Sequence, residues 1–422
     1  MEYRVKDLEW RSCRFSLRFC HPFPIAKRAA RWASTGPASD CWKVDIEMPL
    51  LLLGSVRPDV KRRAVVLLVA ALSLQVAGCG SGAGSGSDSG GAAAAEKGAA
   101  PTRTSYPLTI DNCGQKVTFD GPPRRVLIMN GASVGEVETY VLLGLQSHIL
   151  ANAQRVTISD DPKMVAEVAR LATGGAEWNK NFDVPAEKVF DLKPDLVVST
   201  WSGSFNAKSG FATREQLADV GIKSYVNPVD CAYGATNPSA ADQAVYDQQS
   251  IESTYEFITQ TGVIFDKQQK ASDLVAELRK RISAVRDRVE GKDRKRVLLV
   301  YPGMAMMSTS NLPAVFSGGV YDDIIESAGG ENAFPSDKPN PELTSNLSAE
   351  ALASADVDVL VIGLADPSEK GKVKQLADQL FEQYPQWKAS KTKTYTSISD
   401  GAFIGPTNAY AVEAIADAAH PQ

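Results

Sequence analysis

From Tyr106 onward the chain moves between two hydrophobic rhythms. "YPLTIDNCGQKVTF" places apolar residues at alternate positions on both sides of Asn112-Cys113-Gly114, the pattern of a β-hairpin. Short apolar runs then alternate with helical stretches. "RVLIMN" (125–130) and "HILANA" (148–153) are uniformly apolar strands, with a helix through "GEVETYVLLG" between them. "PAEKVFDLKPDLVVST" predicts a helix and then a strand at 195–200, and "EQLADVGIKSYVNP" repeats helix then strand. Apolar strands separated by amphipathic helices predict a parallel sheet covered on both faces.

The rhythm changes over 266–290. Ala271, Leu274, Val275, Leu278, Ile282, Val285 and Val289 recur in steps of three and four, one face of a long helix. Asp266 with Gln269 predicts a capping box, Gly291 a left-handed stop, and Glu277 with Arg281 a helical ion pair. At about 1.5 Å per residue the helix is roughly 38 Å long, enough to join two bodies as a strut. After Gly291 the β/α text restarts with "RVLLVYP", "GGVYDDIIESAGG", "SAEALAS", "DVLVIG", a long helix, "KTYTSI" and "AYAVEAIADAAH". "AEKVFDLKPDLVV" (186–198) aligns without gaps to "AEALASADVDVLV" (349–361), so one unit recurs on either side of the strut. The expected fold class is α/β: two doubly wound parallel-sheet lobes joined by one long rigid helix.

Upstream the pattern is of another kind. Lys61-Arg62-Arg63 precedes an apolar run, Ala64–Gly78, of about fifteen residues, short of the roughly 20 a spanning helix needs. A basic start, a short apolar run and small residues at its end describe a secretory signal. Val76-Ala77-Gly78-Cys79 resembles a bacterial lipobox, in which the cysteine takes a diacylglycerol and becomes the mature N-terminus. Residues 80–101 are nearly all Gly, Ser and Ala, which cannot bury enough apolar surface to fold. They predict a flexible tether with a reach of roughly 25 Å. Residues 1–47 show no helical or strand periodicity, and initiation at Met48, or at a valine near Val56 or Val60, would restore an ordinary signal peptide. The expected organisation is an N-terminal extension (1–60), signal (61–78), lipid-anchored linker (79–105), N-terminal lobe (106–264), connecting helix (265–291) and C-terminal lobe (292–422).

Composition narrows the function. The 422-residue chain has a formal net charge of −5, and no basic run after the signal is long enough to track phosphates, so nucleic acid is not an expected partner. Among three histidines, His21 lies upstream, His148 opens a strand and His420 is in the tail, which leaves no histidine cluster for a directly bound metal. There is no Gly-rich phosphate loop and no nucleophile elbow. The chemistry points away from an enzyme, with a lipid-anchored hydrolase built on carboxylates as the rival; Asp160-Asp161 and Asp322-Asp323 fit helix N-terminal charges instead. Beyond Cys79 and the upstream cysteines, Cys113 and Cys231 remain, an even pair that suggests one disulfide in an exported protein, with two free thiols as the alternative.

The hairpin, "PPRRVLIMN", "EVETYVLLGL", "PAEKVFDLKPDLVVS", "VYDDIIESAGGENAF" and the second "DVDVLVIG" together resemble a class III substrate-binding lipoprotein of bacterial ABC importers, the group serving ferric siderophores, haem and cobalamin. The resemblance covers Pro107–Pro421. It implies a monomer anchored by lipid at the outer face of the cytoplasmic membrane, with a ligand between two lobes and an ABC permease as partner. It further implies a surface glutamate on each lobe for the permease: Glu138 in the first, Asp323 or Glu326 in the second. Ligands of parallel α/β sheets sit beyond the carboxyl ends of the strands. The candidates there are Asn130, Ser133, Arg155, Trp201 and Phe205 in the first lobe, and Tyr301, Met304, Phe403 and Asn408 in the second. Trp201 directly follows "DLVVST" and offers a large amphipathic ring to a flat ligand. Arg155 offers a guanidinium to an anionic chelate, which favours a ferric siderophore over haem or a corrinoid.

Overall fold

The computed structural model describes residues 103–130, 134–154, 159–402 and 404–422, with the backbone of Phe15–Arg18 and Lys43–Ile46. The two short segments are strands β1 (Phe15–Arg18) and β2 (Lys43–Ile46), paired antiparallel inside a compact unit of its own, Met1–Ala93. The hydrophobic pattern predicts no strand there. The signal, Cys79 and nearly all of the tether lie outside the described residues. Ala94–Gln422 form the second compact unit, and both lobes belong to it.

That unit begins with the expected hairpin. β3 (Leu108–Asn112) and β4 (Gln115–Phe119) pair from Leu108 opposite Phe119 to Asn112 opposite Gln115. Cys113 and Gly114 form the two-residue turn with φ of 54° and 73°, the left-handed pair that matches the twist of the flanking strands.

Four parallel strands follow: β5 (Val126–Ile128), β6 (Ile149–Asn152), β7 (Leu196–Ser199) and β8 (Lys223–Val226), in the order β6-β5-β7-β8. Helices α1 (Gly135–Leu142), α2 (Pro162–Ala169), α3 (Ala186–Leu192) and α4 (Arg214–Asp219) alternate with them, and α5 (Ala240–Asp247) and α6 (Ile251–Ile264) lead on. The strut is α7, Gln268–Val289, roughly 33 Å long at about 1.5 Å per residue. Six of its predicted face residues are buried and Leu274 is half-buried.

The ends of α7 differ from the forecast in part. Gly291, at φ 72°, supplies the left-handed stop. Asp266 does not cap: it has φ 55°, and its carboxylate accepts from Arg103 Nη2 (2.8 Å) and Thr104 N (2.9 Å). The segment entering the hairpin holds that acid. Arg281 pairs with Glu413 at 2.7 Å, not with Glu277, and stacks over the Tyr410 ring at 3.9 Å. A helix packed alongside offers a partner that the helix's own surface cannot.

The second sheet contains β9 (Lys295–Tyr301), β10 (Ala314–Val315), β11 (Gly330–Asn332), β12 (Val359–Leu364) and β13 (Tyr395–Ser399). Its order is β10-β9-β12-β13, with β11 also on β9; all pairs are parallel except the short β10. Helices α8 (Gly319–Ser327), α9 (Pro341–Asn346), α10 (Ala349–Ser354), α11 (Val373–Gln383), α12 (Lys388–Thr392) and α13 (Asn408–Ala419) surround it. The repeated sequence unit folds as α3–β7 and as α10–β12.

Strand alternation divides the cores. Val126 and Ile128 of β5, with Val297, Leu299 and Tyr301 of β9, face a continuous core that runs through α6, α7 and α13 and joins the lobes. Leu127 and Met129 face a separate outer core of the first lobe; Leu298 and Val300 face one of the second. A shared inner core makes the connection between the lobes stiff.

Candidate ligand cleft

The carboxyl ends of β5 and β7 carry the rim of the first lobe. Asn130 follows β5; its N–H donates to Asp183 Oδ1 (2.8 Å) and its amide to the Phe182 carbonyl (2.7 Å). Asp183, itself buried, also accepts from Val184 N (2.8 Å) and the Ser204 hydroxyl (2.6 Å). Trp201 follows β7 and is half-buried. Its ring lies 4.9 Å from that of Tyr233, which stacks on Tyr246 at 5.6 Å. Gly203 and Gly234 underlie the indole: a Cβ on Gly234, at φ 71°, would fall 2.6 Å from the ring, so only glycine lets the Trp lie there. Ser202 Oγ donates to the Cys231 carbonyl (2.7 Å), and Cys231 is joined to Cys113 of the hairpin turn, with Cα atoms 5.1 Å apart. Phe205, a candidate ligand contact, is 8 % exposed and belongs to the outer core.

Beneath the rim is a polar knot invisible in the pattern. Glu136 of α1 is fully buried and accepts from Asn227 (2.9 Å), Gln154 (2.8 Å) and Thr200 (2.7 Å), which gathers the ends of β6, β7 and β8. Burial raises its pKa and those three bonds oppose the rise. Asp230, also buried, accepts from Gln249 (2.7 Å); burial and then the nearby Glu136 push its pKa well up.

The second lobe adds a cluster of rings. Tyr301 packs edge-on against Phe316 at 5.1 Å, and Phe316 lies 5.2 Å from Tyr321. Tyr301 is 1 % exposed, a core residue and not a free cleft wall. Met304 is half-buried against the inner core, while Met306 and Met307 are exposed. Glu369 accepts from Ala365 N and Asp366 N, both at 2.8 Å, and shapes the turn after β12.

Between the lobes the chain is sealed. Asp160 accepts from Ser399 N (3.1 Å) and Ser399 Oγ (2.9 Å), and Lys370 Nζ donates to the Ser159 carbonyl (3.2 Å). A Cβ on Gly135 at the start of α1 would meet the Ile404 carbonyl at 2.7 Å, so the lobes touch backbone to backbone. Glu138 lies in this seam. Its Oε2 accepts from the Thr407 hydroxyl (3.3 Å), and the residue is 1 % exposed. Burial, then Asp160 and Asp400, lift its pKa to about 8, against bonds from Ser159 and Thr407. The expectation of a surface glutamate at 138 is therefore corrected, because α1 turns that face into the second lobe. Asn408 is corrected likewise: it is fully buried, and its amide donates to Thr254 Oγ1 (3.0 Å) of α6.

Asp323 is already engaged within the fold, accepting from Ile251 N (2.7 Å) and pairing with Arg286 (3.3 Å), whereas Glu326 is exposed. Asp161 caps α2 through Lys163 N, as expected, while its neighbour Asp160 crosses the seam. Ser133, Arg155 and Phe403 lie outside the described residues. The structure thus brings Asn130 and Trp201 to one rim and withdraws Phe205, Tyr301 and Asn408 into packing. Sequence reasoning passed over Glu136, Phe182, Tyr246, Phe316 and Tyr321. Tyr246, Phe316 and Tyr321 offered an aromatic signal in the sequence; Glu136 and Phe182 had none.

Residues 133–398 match the profile of a family described as periplasmic binding protein. A vitamin B12-binding protein of Salmonella paratyphi A is 29% identical over 210 residues, 49% of this chain and 63% of that relative, so the match spans less than two thirds of the relative's length. Two solved structures share the fold. One, titled as an ABC-type Fe3+-hydroxamate transport system from Saccharomonospora viridis, aligns with TM-score 0.54 and 23% identity, covering 74% of this chain and 99% of that one. A periplasmic binding protein from Veillonella parvula aligns with TM-score 0.56 and 17% identity, covering 75% and 98%. These are binding proteins rather than enzymes. With the family profile extending across both lobes and the strut between them, the chain belongs to the periplasmic binding protein family.

Proposed function

We propose that the chain is a lipid-anchored extracytoplasmic solute-binding protein that captures a ferric siderophore and delivers it to an ABC permease. The observation that carries this reading is the aromatic rim: Trp201, half-exposed on two glycines beside Tyr233 and Tyr246, at the carboxyl end of a parallel sheet. Such a surface suits a large, partly apolar chelate. The exposed Met306 and Met307, after β9, offer adaptable apolar contacts from the other lobe. The solved neighbour titled for Fe3+-hydroxamate transport supports an iron chelate as cargo. Arg155, through its place after β6, supports an anionic form of it. The protein acts as a monomer, with Glu326 as the second-lobe contact for the permease. A corrinoid is the second reading, favoured by the vitamin B12-binding relative and by the same aromatic wall.

Titration of tryptophan fluorescence with ferric hydroxamates, ferric catecholates, haem and cobalamin separates these readings. A ferric chelate is expected to quench, and Trp201→Ala to weaken its binding roughly tenfold, the loss of one stacked ring. Tight binding of cobalamin alone, indifferent to Arg155→Ala, would overturn the siderophore reading.

A further inference from the structure

Among the described residues Phe182 is the one exposed aromatic side chain, at 63%. It also has φ 64°, in the left-handed region that a bulky side chain rarely adopts. Both features work against stability, and both are held in place. The Phe182 carbonyl accepts from the Asn130 amide (2.7 Å), and its N–H donates to the Asn179 carbonyl (3.0 Å). Asn181 Nδ2 and Asn179 Nδ2 both donate to the Ser209 carbonyl, at 2.8 and 2.9 Å. The next residue, Asp183, is buried and bonded to Asn130 N and Ser204 Oγ. Asn130 follows β5 and Ser204 lies three residues after Trp201, so these bonds pin the loop to the rim that carries Trp201. Backbone strain that the surroundings over-determine concentrates where a binding surface is pre-organised.

We propose that Phe182 is a specificity-determining ligand contact, a rigid ring at the first-lobe rim that packs on an apolar face of the bound chelate alongside Trp201. The proposal rests on the binding-protein reading above and adds to it a residue and a mode of contact. Because the loop is fixed before the ligand arrives, the ring loses little freedom on binding, and its contribution appears mainly as slower dissociation.

The test compares wild type, Phe182→Asn and Phe182→Trp by calorimetric titration with ferric desferrioxamine B, ferric enterobactin, haem and cyanocobalamin, alongside thermal melting. Asn tolerates the left-handed backbone, so Phe182→Asn should melt at or above the wild-type temperature. It should bind the wild type's ligand roughly tenfold more weakly. Phe182→Trp should stay within about twofold, since the stacking face is kept. Unchanged affinity in Phe182→Asn overturns the proposal, as does a loss accompanied by an equivalent drop in melting temperature. If the wild type binds haem or cobalamin but neither ferric chelate, and Phe182→Asn weakens that binding, the proposal stands and the siderophore reading falls. If the wild type binds none of the four, both fall.

Discussion

Burial, more than any neighbouring charge, lifts the Glu138 carboxyl from an ordinary value of 4.5 to about 8. In the folded protein it therefore keeps its proton at neutral pH, while in the unfolded chain it loses it near 4.5. The sign follows from linkage. Below the unfolded value both states are protonated and the residue costs nothing; between the two values the folded state must hold a proton that the unfolded state releases. Stability is thus fully present below about 4.5 and is lost as pH rises through about 8. Asp160 and Asp400, whose pKa values burial also raises, slope the same way. Urea midpoints measured from about pH 5 to about pH 9 should fall with pH, and Glu138→Gln, which cannot ionise, should flatten part of that fall. An identical slope in the variant would place the Glu138 proton elsewhere.

At the scale of elements, the hairpin is a two-stranded ribbon that cannot stand alone and depends on what it is tied to. Asn112, at its turn, donates to the Val226 carbonyl (2.8 Å), and Arg214 of α4 reaches back to the Asn112 carbonyl (2.8 Å). The Cys113–Cys231 bridge adds a covalent tie across a sequence separation of 118 residues. Chain entropy for a loop of that size gives about 4–5 kcal/mol as an upper figure. Denatured, unreduced protein should therefore show no alkylatable thiol in the soluble domain, and reduction should lower the melting temperature. Two reactive thiols would refute the bridge. The same linkage reaches the cleft, because Cys231 accepts from Ser202 beside Trp201. Reduction should weaken ligand binding as well as stability.

At the scale of the molecule, a helix of 22 residues and one inner core hold the lobes, which leaves them little freedom to move relative to one another. The seam of Gly135, Glu138, Asp160 and Ser399 must part for the lobes to open any further. The proposed delivery to a permease rests on two features outside the cleft, lipidation of Cys79 and docking through Glu326, and each is open to test. Cys79→Ser and Glu326→Lys should each abolish uptake of the bound chelate by cells and leave its affinity unchanged, with the Cys79 variant also leaving the membrane fraction. Normal uptake by either variant removes that residue from the delivery step.

Much of this was legible without coordinates. The hairpin around Asn112-Cys113-Gly114, the apolar strands β5, β6, β7, β8, β9, β12 and β13, the face of α7 and the recurrence of α3–β7 as α10–β12 all follow from local rules: side-chain period, β-branching and turn residues. The position of Trp201 followed as well, because the end of an apolar strand is visible in sequence. What failed depended on surfaces brought together from distant parts of the chain. Glu138 reads as a helix surface charge until the turn around Thr407 covers it, Asp266 as a cap until Arg103 claims it, and Arg281 as the partner of Glu277 until α13 brings Glu413. Tyr301 and Asn408 follow strand and turn as ligand contacts should, yet the inner core takes both. Phe182 carries no sequence signal at all, since its backbone angle is set by an asparagine 52 positions away. Periodicity determined which residues form each element; which charges are buried, and which ring is left in solvent, was decided only when segments distant in the chain packed together.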